Sequence, residues 1–197
     1  MLELHGIEAS TRAVARALGR GERSAIGTYA FDGGGLIVEG GRRRDSDALA
    51  PLLARIPFPS NWWAVVGAPD AAPGISGDSE SEAFDALPSP SEAQVGRVCR
   101  IVLMDLLPSL AEADLDGFGA SLARIQSITG EWWAPIQGGV FTPGPTADLV
   151  QAMSGWGARG VGQSSWGPAV YGIVDGERAG RQLAGRVERS LGAEGRV

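Results

Sequence analysis

The chain has 197 residues, of which 44% are hydrophobic, enough to bury one large core or two small ones. Its formal net charge is −6 and its 17 basic residues are all arginine, which argues against a nucleic-acid-binding surface and excludes lysine-based catalysis. The single cysteine, Cys99, cannot form an intrachain disulfide, and the sequence shows neither a signal peptide nor an apolar run of the ~18 residues that a membrane helix needs. We therefore expect a soluble, cytoplasmic protein.

The first part of the chain contains short predicted elements. In chain order they are a helix over residues 10–18, strands over residues 29–31 and 36–38, and a helix over residues 47–55. Ser10 is a good N-cap for the first helix, and Gly19 favours its end. The Pro-Phe-Pro sequence at residues 57–59 predicts a break before the next element.

The second part of the chain has longer and clearer patterns. We predict a strand over residues 62–66, a helix over residues 92–107, a helix after the cap Asp114, a helix after the cap Thr146, a strand over residues 169–174 and a helix over residues 177–191. The strongest pattern is a stripe of apolar residues at helical spacing that should be buried and that Pro108 should end; it consists of Val95, Val98, Cys99, Val102, Leu103, Leu106 and Leu107.

The order of these elements predicts an α+β fold and not a regular alternation of strands and helices. From about residue 58 onward it fits a ferredoxin-like sandwich, in which helices cover one face of an antiparallel sheet. The closing strand of such a sandwich would begin near residues 194–197.

A glycine-rich segment directly before the strand at 169–174 is the best candidate for a binding site. It consists of Gly160, Val161, Gly162, Gln163, Ser164, Ser165, Trp166 and Gly167. Glycines let backbone N–H groups approach an anion closely, and the glutamine and serines add side-chain donors, so the segment could cradle a phosphate or carboxylate. It matches neither the Walker pattern nor Gly-x-Gly-x-x-Gly. A glycine-rich hairpin around a packed tryptophan is the alternative interpretation.

Three segments in the same order resemble β-ribofuranosylaminobenzene 5'-phosphate synthases, a branch of the GHMP kinase superfamily. Residues 163–168, Gln-Ser-Ser-Trp-Gly-Pro, resemble the synthases' C-terminal glycine-rich motif. Residues 23–31, with the Gly-Gly-Gly-Leu-Ile-Val that follows, resemble their Ser-Gly-Ile-Gly segment and the next strand; residues 69–77 resemble their strand-to-helix loop. The resemblance implies a GHMP-kinase-like fold, with residues 1–57 as the end of the N-terminal domain and residues 58–197 as the C-terminal domain.

The resemblance also implies an activity. The family joins 5-phosphoribosyl-1-diphosphate to 4-aminobenzoate or 4-hydroxybenzoate, releases CO₂ and pyrophosphate, and opens a route to methanopterin-type one-carbon cofactors. It implies a phosphate site at residues 160–167, further polar contacts from Ser24 and Thr28, Trp166 as a wall of the acid's pocket, and Mg²⁺ to neutralise the diphosphate. The superfamily's upstream glycine- and serine-rich phosphate loop has no counterpart here, so we expect an incomplete copy of the enzyme.

Two other functions stay open at this point. A small-molecule kinase of the same superfamily would need a base for the phosphoryl acceptor, but Gly27 stands where many of these kinases have an aspartate. A non-catalytic binding or assembly module would explain the missing loop. A homodimer is the assembly that we consider, since an uncovered sheet edge invites self-association.

The remaining chemical side chains are few. Asp70, Asp78 and Glu80 surround the loop at residues 69–77 and are candidate Mg²⁺ ligands, although acidic residues in the first turn of a helix have the same pattern. The only histidine, His5, gives no basis for a two-histidine metal site or a Ser-His-Asp triad beyond itself. We expect Cys99 to be buried and unreactive.

Overall fold

The structure is a computed structural model that describes residues 9–21, 24–43, 46, 48–71, 74–75, 77–192 and 195–197. It divides into two compact units, Met1–Phe58 and Pro59–Val197. His5 and Arg23 lie outside the described residues, as do positions 72, 73 and 76 of the strand-to-helix loop. None of the helices in the described part of the chain is both long and apolar enough to cross a membrane.

The first unit contains two helices and a two-stranded antiparallel sheet. Its elements are α1 (Thr11–Ala17), α2 (Ile26–Gly33), β1 (Leu36–Glu39) and β2 (Leu52–Ile56). The Ser10 side chain accepts a hydrogen bond from the backbone N–H of Ala13 and caps α1, as its sequence predicts. The small core consists of Ala25, Tyr29, Ile37 and Ala50.

Two predictions for this unit are wrong. Residues 29–31, predicted as a strand, lie within α2, because the Tyr29 side chain packs inward and its hydroxyl donates to the Ala50 carbonyl at 2.7 Å. The triple glycine therefore ends a helix, with Gly34 at φ 61°, and does not form a hairpin turn. The predicted helix at residues 47–55 is replaced by β2, which pairs with β1; Asp47 itself lies outside the described residues.

The second unit contains one four-stranded antiparallel sheet and six α-helices among the residues that the structure describes. Its elements are β3 (Trp62–Pro69), α3 (Asp78–Ala86), α4 (Glu92–Ile101), a π-helical turn (Val102–Leu106), α5 (Leu107–Ala111), α6 (Leu115–Gln137), α7 (Pro145–Gly155), β4 (Arg159–Gln163), β5 (Val170–Asp175), α8 (Glu177–Leu191) and β6 (Gly195–Arg196). The strand order is β4-β5-β3-β6. The short closing strand β6 pairs with β3, in the region where the sequence predicts it; Glu194 lies outside the described residues.

Helices lie on both faces of this sheet, so the prediction that they cover one face is wrong. One face packs on α7 and α8 through a core that includes Val65, Met153, Val170 and Val187. On the other face, α6 packs closely on β4, where a Cβ added at Gly162 would lie 2.6 Å from a Gln126 side-chain carbon. Successive side chains along a strand point to opposite faces of the sheet, so one set of strand residues contacts α7 and α8 and the other set lies on the side of α6.

Most of the apolar stripe at residues 92–107 does not face the core as predicted. Of its seven members only Leu106 is buried; Leu103 is 63% exposed and Cys99 is exposed. The other buried residue of this stretch, Ile101, is not part of the stripe. The π-helical turn at Val102–Leu106 alters the helical register, so that a stripe drawn at regular 3.6-residue spacing cannot follow the buried face. Pro108 lies near the start of α5 and does not end the helical stretch.

The other predicted elements of this unit are confirmed, with one corrected cap. The strands at 62–66 and 169–174 and the helix at 177–191 correspond to β3, β5 and α8, and the Asp114 side chain caps α6. Thr146 does not cap α7, because Gly144 is the N-cap residue. Instead the Thr146 side chain is buried and its hydroxyl donates to the Pro168 carbonyl at 3.3 Å.

Candidate functional site

The glycine-rich segment is a hairpin, and only its turn is open. Residues 160–163 belong to β4 and are buried, whereas Ser164 and Ser165 in the turn before β5 are exposed. The Ser164 N–H donates to the Ala169 carbonyl at 2.8 Å, and the Gly167 N–H donates to the Ser164 carbonyl at 2.9 Å. Ser165 and Gly167 have positive φ angles of 50° and 74°. β4 is thus packed structure, as the hairpin interpretation has it, and the turn is exposed; its role as a phosphate site stays a prediction.

Gln163 supports the turn from inside and has no amide hydrogen left for a ligand. Its side chain is 3% exposed. The side-chain Oε1 accepts from the Thr142 N–H at 2.8 Å, while Nε2 donates to the Ser165 carbonyl at 2.8 Å and to Gln137 Oε1 at 3.2 Å. Because both amide hydrogens are engaged, the predicted role of Gln163 as a phosphate donor would require these bonds to break.

The side chain of Gln126, on α6, forms hydrogen bonds to β4 and to the neighbouring strand β5. Its Nε2 donates to the Tyr171 hydroxyl at 2.8 Å and to the Gln163 carbonyl at 3.3 Å, and its Oε1 accepts from the Gln163 N–H at 3.3 Å. Burial raises the pKa of Tyr171 above its ordinary value of 10.0, and the Gln126 hydrogen bond opposes this only in part. Gly162 lies against Gln126 and Tyr171 and leaves no space for a side chain.

Trp166 lies in the turn but points into an aromatic cluster. It is 3% exposed and stacks on Trp133 with ring centroids 4.4 Å apart and planes inclined by 15°, while Phe84 meets it edge-on at 5.7 Å. The indole N–H groups of Trp133 and Trp166 are buried and have no hydrogen-bond partner among the described residues. Trp166 is therefore a packed support for the turn in this structure, and Trp133 is the ring that it supports.

Two of the three segments that carry the resemblance meet in this unit. A Cβ added at Gly74, in the strand-to-helix loop, would lie 2.4 Å from the Gly167 carbonyl oxygen and 2.6 Å from that of Trp166. The close approach of these two backbones explains why residue 74 is a glycine. The loop that precedes α3 therefore packs directly on the glycine-rich turn.

The acidic candidates near this loop do not form a ready-made metal site. Asp70 follows β3 and is exposed; Asp78 and Glu80 lie in the first turn of α3, where the helix dipole favours negative charge. Among the residues that the structure describes, no three His, Cys, Asp or Glu side chains are grouped so as to hold a metal ion.

Ser24 and Thr28 lie in the first unit, Ser24 just before α2 and Thr28 within it. The Ser24 hydroxyl accepts from the Ile26 N–H at 3.3 Å and so supports the start of that helix. Both residues line a cleft of about 810 Å³ together with Gly27 and Phe31. Gly27 is exposed, and a Cβ at this position would contact nothing within 4 Å. An aspartate, as in many of the kinases, would therefore fit at this position. Lack of space does not explain why the residue here is glycine.

Three residues of the site, Gln126, Thr129 and Gln137, were missed by the sequence analysis, and all lie on α6. Together with Trp133 they line a small pocket beside β4, which has Gln163 and Ser165 at its other side. Their spacing of three to four residues places them on one face of the helix. A stripe of polar side chains along this 23-residue helix is the sequence signal that indicates them.

Comparison with known proteins identifies the relatives of the chain. It is 37% identical to the β-ribofuranosylphenol 5'-phosphate synthase of Archaeoglobus fulgidus over 201 residues, and 34% identical to the enzyme of the same name from Methanothermobacter thermautotrophicus; each match covers 96% of the chain. A third, from Methanocaldococcus jannaschii, is 25% identical over 88% of the chain. The chain is a relative of these synthases. It spans about 58% of the length of the first and 59% of the second.

The fold agrees with this relationship. Homoserine kinase from Cytophaga hutchinsonii superposes with a TM-score of 0.59 at 17% sequence identity, over 98% of this chain and 57% of the kinase. The chain therefore has the α+β fold of the GHMP-type kinases, and at this identity the likeness concerns the fold alone. No model of a known protein family matches the sequence.

Proposed function

We propose that the chain serves a synthase that transfers the phosphoribosyl group of 5-phosphoribosyl-1-diphosphate to 4-hydroxybenzoate or 4-aminobenzoate. The observation that carries this proposal is the open turn at Ser164 and Ser165, in a chain 37% identical to a β-ribofuranosylphenol 5'-phosphate synthase. The name of that relative favours 4-hydroxybenzoate, because a ribosylated phenol is what remains after this acid loses its carboxylate. We also propose that the enzyme acts on these small molecules in the cytoplasm.

The proposed reaction breaks one bond at ribose C1 and one at a ring carbon, and it joins these two carbons. The bond between ribose C1 and the diphosphate oxygen breaks, and the pyrophosphate leaves with that electron pair. The ring carbon that carries the carboxylate forms the new bond to ribose C1. The bond from that ring carbon to the carboxylate then breaks, CO₂ leaves, and its electron pair restores the aromatic ring. Nothing is oxidised or reduced overall, and no other reactant is needed.

The turn offers several uncharged donors to a phosphate. The backbone N–H groups of Ser165 and Trp166 donate to none of the described residues, and the hydroxyl of Ser164 is likewise without a partner there. Successive N–H groups in a turn with a positive φ angle form an anion-binding concavity. This geometry supports the proposal that the turn, in place of Gln163, holds the diphosphate of the donor.

Mg²⁺ fits this site only as part of the substrate. Since the described residues form no three-ligand metal site, a preformed protein cage for the ion is not supported. Mg²⁺ keeps most of its water and is commonly held by substrate phosphates with one or two carboxylates. We propose that it arrives with the diphosphate, and that Asp78 or Asp70 is the carboxylate to test first.

A kinase function is the weaker proposal. The exposed position of Gly27 leaves the cleft beside α2 without the carboxylate that would accept a proton from a phosphoryl acceptor. Transfer of a phosphoribosyl group requires no such base, since the proposed reaction moves no proton. The missing carboxylate therefore favours the synthase reaction.

A chimeric enzyme tests the proposed function. The aligned part of the Archaeoglobus fulgidus synthase is replaced by this chain, so that the remaining length of the relative is supplied. With phosphoribosyl diphosphate, Mg²⁺ and carboxyl-labelled 4-hydroxybenzoate, we expect release of labelled CO₂ by the chimera. A chimera that folds and releases none, beside an active parent enzyme, would contradict the proposal. ATP-dependent phosphorylation of a metabolite would favour the kinase.

A further inference from the structure

We propose that the pocket between α6 and the end of β4 binds the aromatic acid, with Trp133 against the ring and the hydroxyls of Thr129 and Ser165 directed to the carboxylate. This inference rests on the proposed function and names the place of its second substrate. In this proposal the ring that contacts the acid is Trp133 on α6, and not Trp166 as the sequence suggested.

The size of the pocket suits a small aromatic molecule. About 70 Å³ of it is open to the centre of a water molecule. One ordered water needs about 10–15 Å³ by this measure, so the pocket admits roughly five waters, or about 150 Å³ of liquid, the size of a cavity that takes benzene. The aromatic ring of a hydroxybenzoate, which is the size of benzene, fits this volume, whereas the larger phosphoribosyl diphosphate does not. The two substrates would thus occupy different places, on either side of Ser165.

The polar groups of the pocket divide into engaged amides and free hydroxyls. The amide hydrogens of Gln126, Gln137 and Gln163 are all given to protein acceptors, those of Gln137 to the Gly139 and Val140 carbonyls at 2.7 and 2.8 Å. The hydroxyls of Thr129 and Ser165 have no partner among the described residues. A carboxylate in the pocket would therefore take its hydrogen bonds from these two hydroxyls.

The lining carries no charged side chain, which suits a carboxylate that must leave. Of the eight described residues that line the pocket, none is acidic or basic. An arginine there would stabilise the carboxylate in the ground state and lose that interaction when neutral CO₂ forms, which would raise the barrier. Neutral hydroxyls bind the acid with less of this penalty. The absence of a cation thus agrees with decarboxylation and disagrees with a site that merely stores the acid.

The walls of the pocket are fixed before a ligand enters. The glutamine network joins α6 to β4 and to the segment at residues 139–142, and Trp166 backs the ring of Trp133. Gly130 allows this segment to approach, because a Cβ there would lie 2.2 Å from the Val140 carbonyl oxygen. A preformed pocket orders few side chains upon binding, which lowers the entropic cost.

Binding of labelled 4-hydroxybenzoate to the 197-residue protein tests the inference, by equilibrium dialysis with and without phosphoribosyl diphosphate. The variant Thr129→Val keeps the shape of the side chain and removes its hydroxyl. We expect it to weaken binding about tenfold, as the loss of one hydrogen bond to a charged group does. Ser127→Ala is the matched control, because Ser127 lies on the same helix and its hydroxyl donates to Glu131 at 3.3 Å, outside the pocket. Its affinity should equal that of the wild type.

Two further readouts keep the inference separate from the proposed function. In the chimera, Thr129→Val should raise KM for the acid, raise kcat in proportion and leave kcat/KM unchanged, because the hydrogen bond to the carboxylate is present in the ground state and lost when CO₂ forms. If Thr129→Val does not fold, Ser165→Gly takes its place, since glycine adopts the φ of 50° at this position. An active chimera in which neither variant changes KM overturns the pocket and leaves the function standing. An inactive chimera with acid binding that depends on Thr129 overturns the function and supports the pocket. No binding to the folded wild-type protein under either condition overturns the pocket.

Discussion

Replacing Gln163 by leucine separates a structural role from a ligand-binding role at the turn. The wild-type amide is 3% exposed and bonds three protein groups, on Thr142, Ser165 and Gln137. Leucine has a similar size and cannot replace any of these hydrogen bonds. The variant should therefore unfold more easily, even in the absence of ligand.

The magnitude follows from which groups lose their partner. The Ser165 carbonyl lies in an exposed residue and can bond to water, whereas the Thr142 N–H and Gln137 Oε1 belong to half-buried residues. Each buried polar group left unpaired costs about 1–3 kcal/mol. With partial access to water at two such groups, we expect Gln163→Leu to lower the free energy of unfolding by about 2–3 kcal/mol.

Urea denaturation followed by circular dichroism measures this loss, as a lower midpoint at an unchanged m-value. Gln151→Leu, at an exposed position of α7, is the control and should stay within about 0.5 kcal/mol of the wild type. Equal stability of the two variants, together with a loss of pyrophosphate affinity only in Gln163→Leu, would refute the structural role and restore Gln163 as a phosphate donor.

Three further predictions concern packing and ionisation. Ile101→Ala should lower the free energy of unfolding by about 2–5 kcal/mol because Ile101 is 1% exposed, and Leu103→Ala by less than about 1 kcal/mol because Leu103 is 63% exposed. A larger loss for Leu103→Ala than for Ile101→Ala in urea denaturation would indicate that Leu103 is buried, as the apolar stripe predicts. Gly162→Val should destabilise the fold by more than about 2 kcal/mol, since its side chain would overlap Gln126; a thermal melt like that of the wild type would contradict the packing of α6 on β4. Burial raises the pKa of Tyr171, so its contribution to stability is complete below the unfolded-state pKa near 10.0 and is lost as the pH rises through the folded-state value. Tyr171→Phe should reduce this alkaline loss, and an unchanged pH profile of stability would count against it.

The sequence predicts much of the second unit because its signals there are local. Asp114 before α6 and the glycines around α8 mark ends that depend on neighbouring residues only. The position of the Ser164-Ser165 turn before β5 follows from the same kind of signal, whereas β4, which contains residues 160–163, was not predicted as a strand. The relationship to the synthases, inferred from three short motifs, is confirmed by the curated relatives.

The failures occur where contacts distant in sequence decide the structure. Tyr29 has a high strand propensity, yet its hydroxyl bonds to Ala50, and this contact is made from a helix. The π-helical turn at Val102–Leu106 shifts the buried face by an amount that a regular period cannot anticipate. The hydrogen bonds of the Gln163 side chain to Thr142 and Gln137 could likewise not be predicted from the sequence, because these partners lie 21 and 26 residues away.

The ratio of CO₂ to pyrophosphate released by the chimera tests the central claim most directly. The proposed reaction releases one of each per turnover, and neither without phosphoribosyl diphosphate. We therefore expect a ratio of one when labelled CO₂ and pyrophosphate are measured in the same reaction with 4-hydroxybenzoate. Pyrophosphate release without CO₂, or no release of either by a folded chimera, would contradict the claim that this chain serves a phosphoribosyl-transferring, decarboxylating synthase.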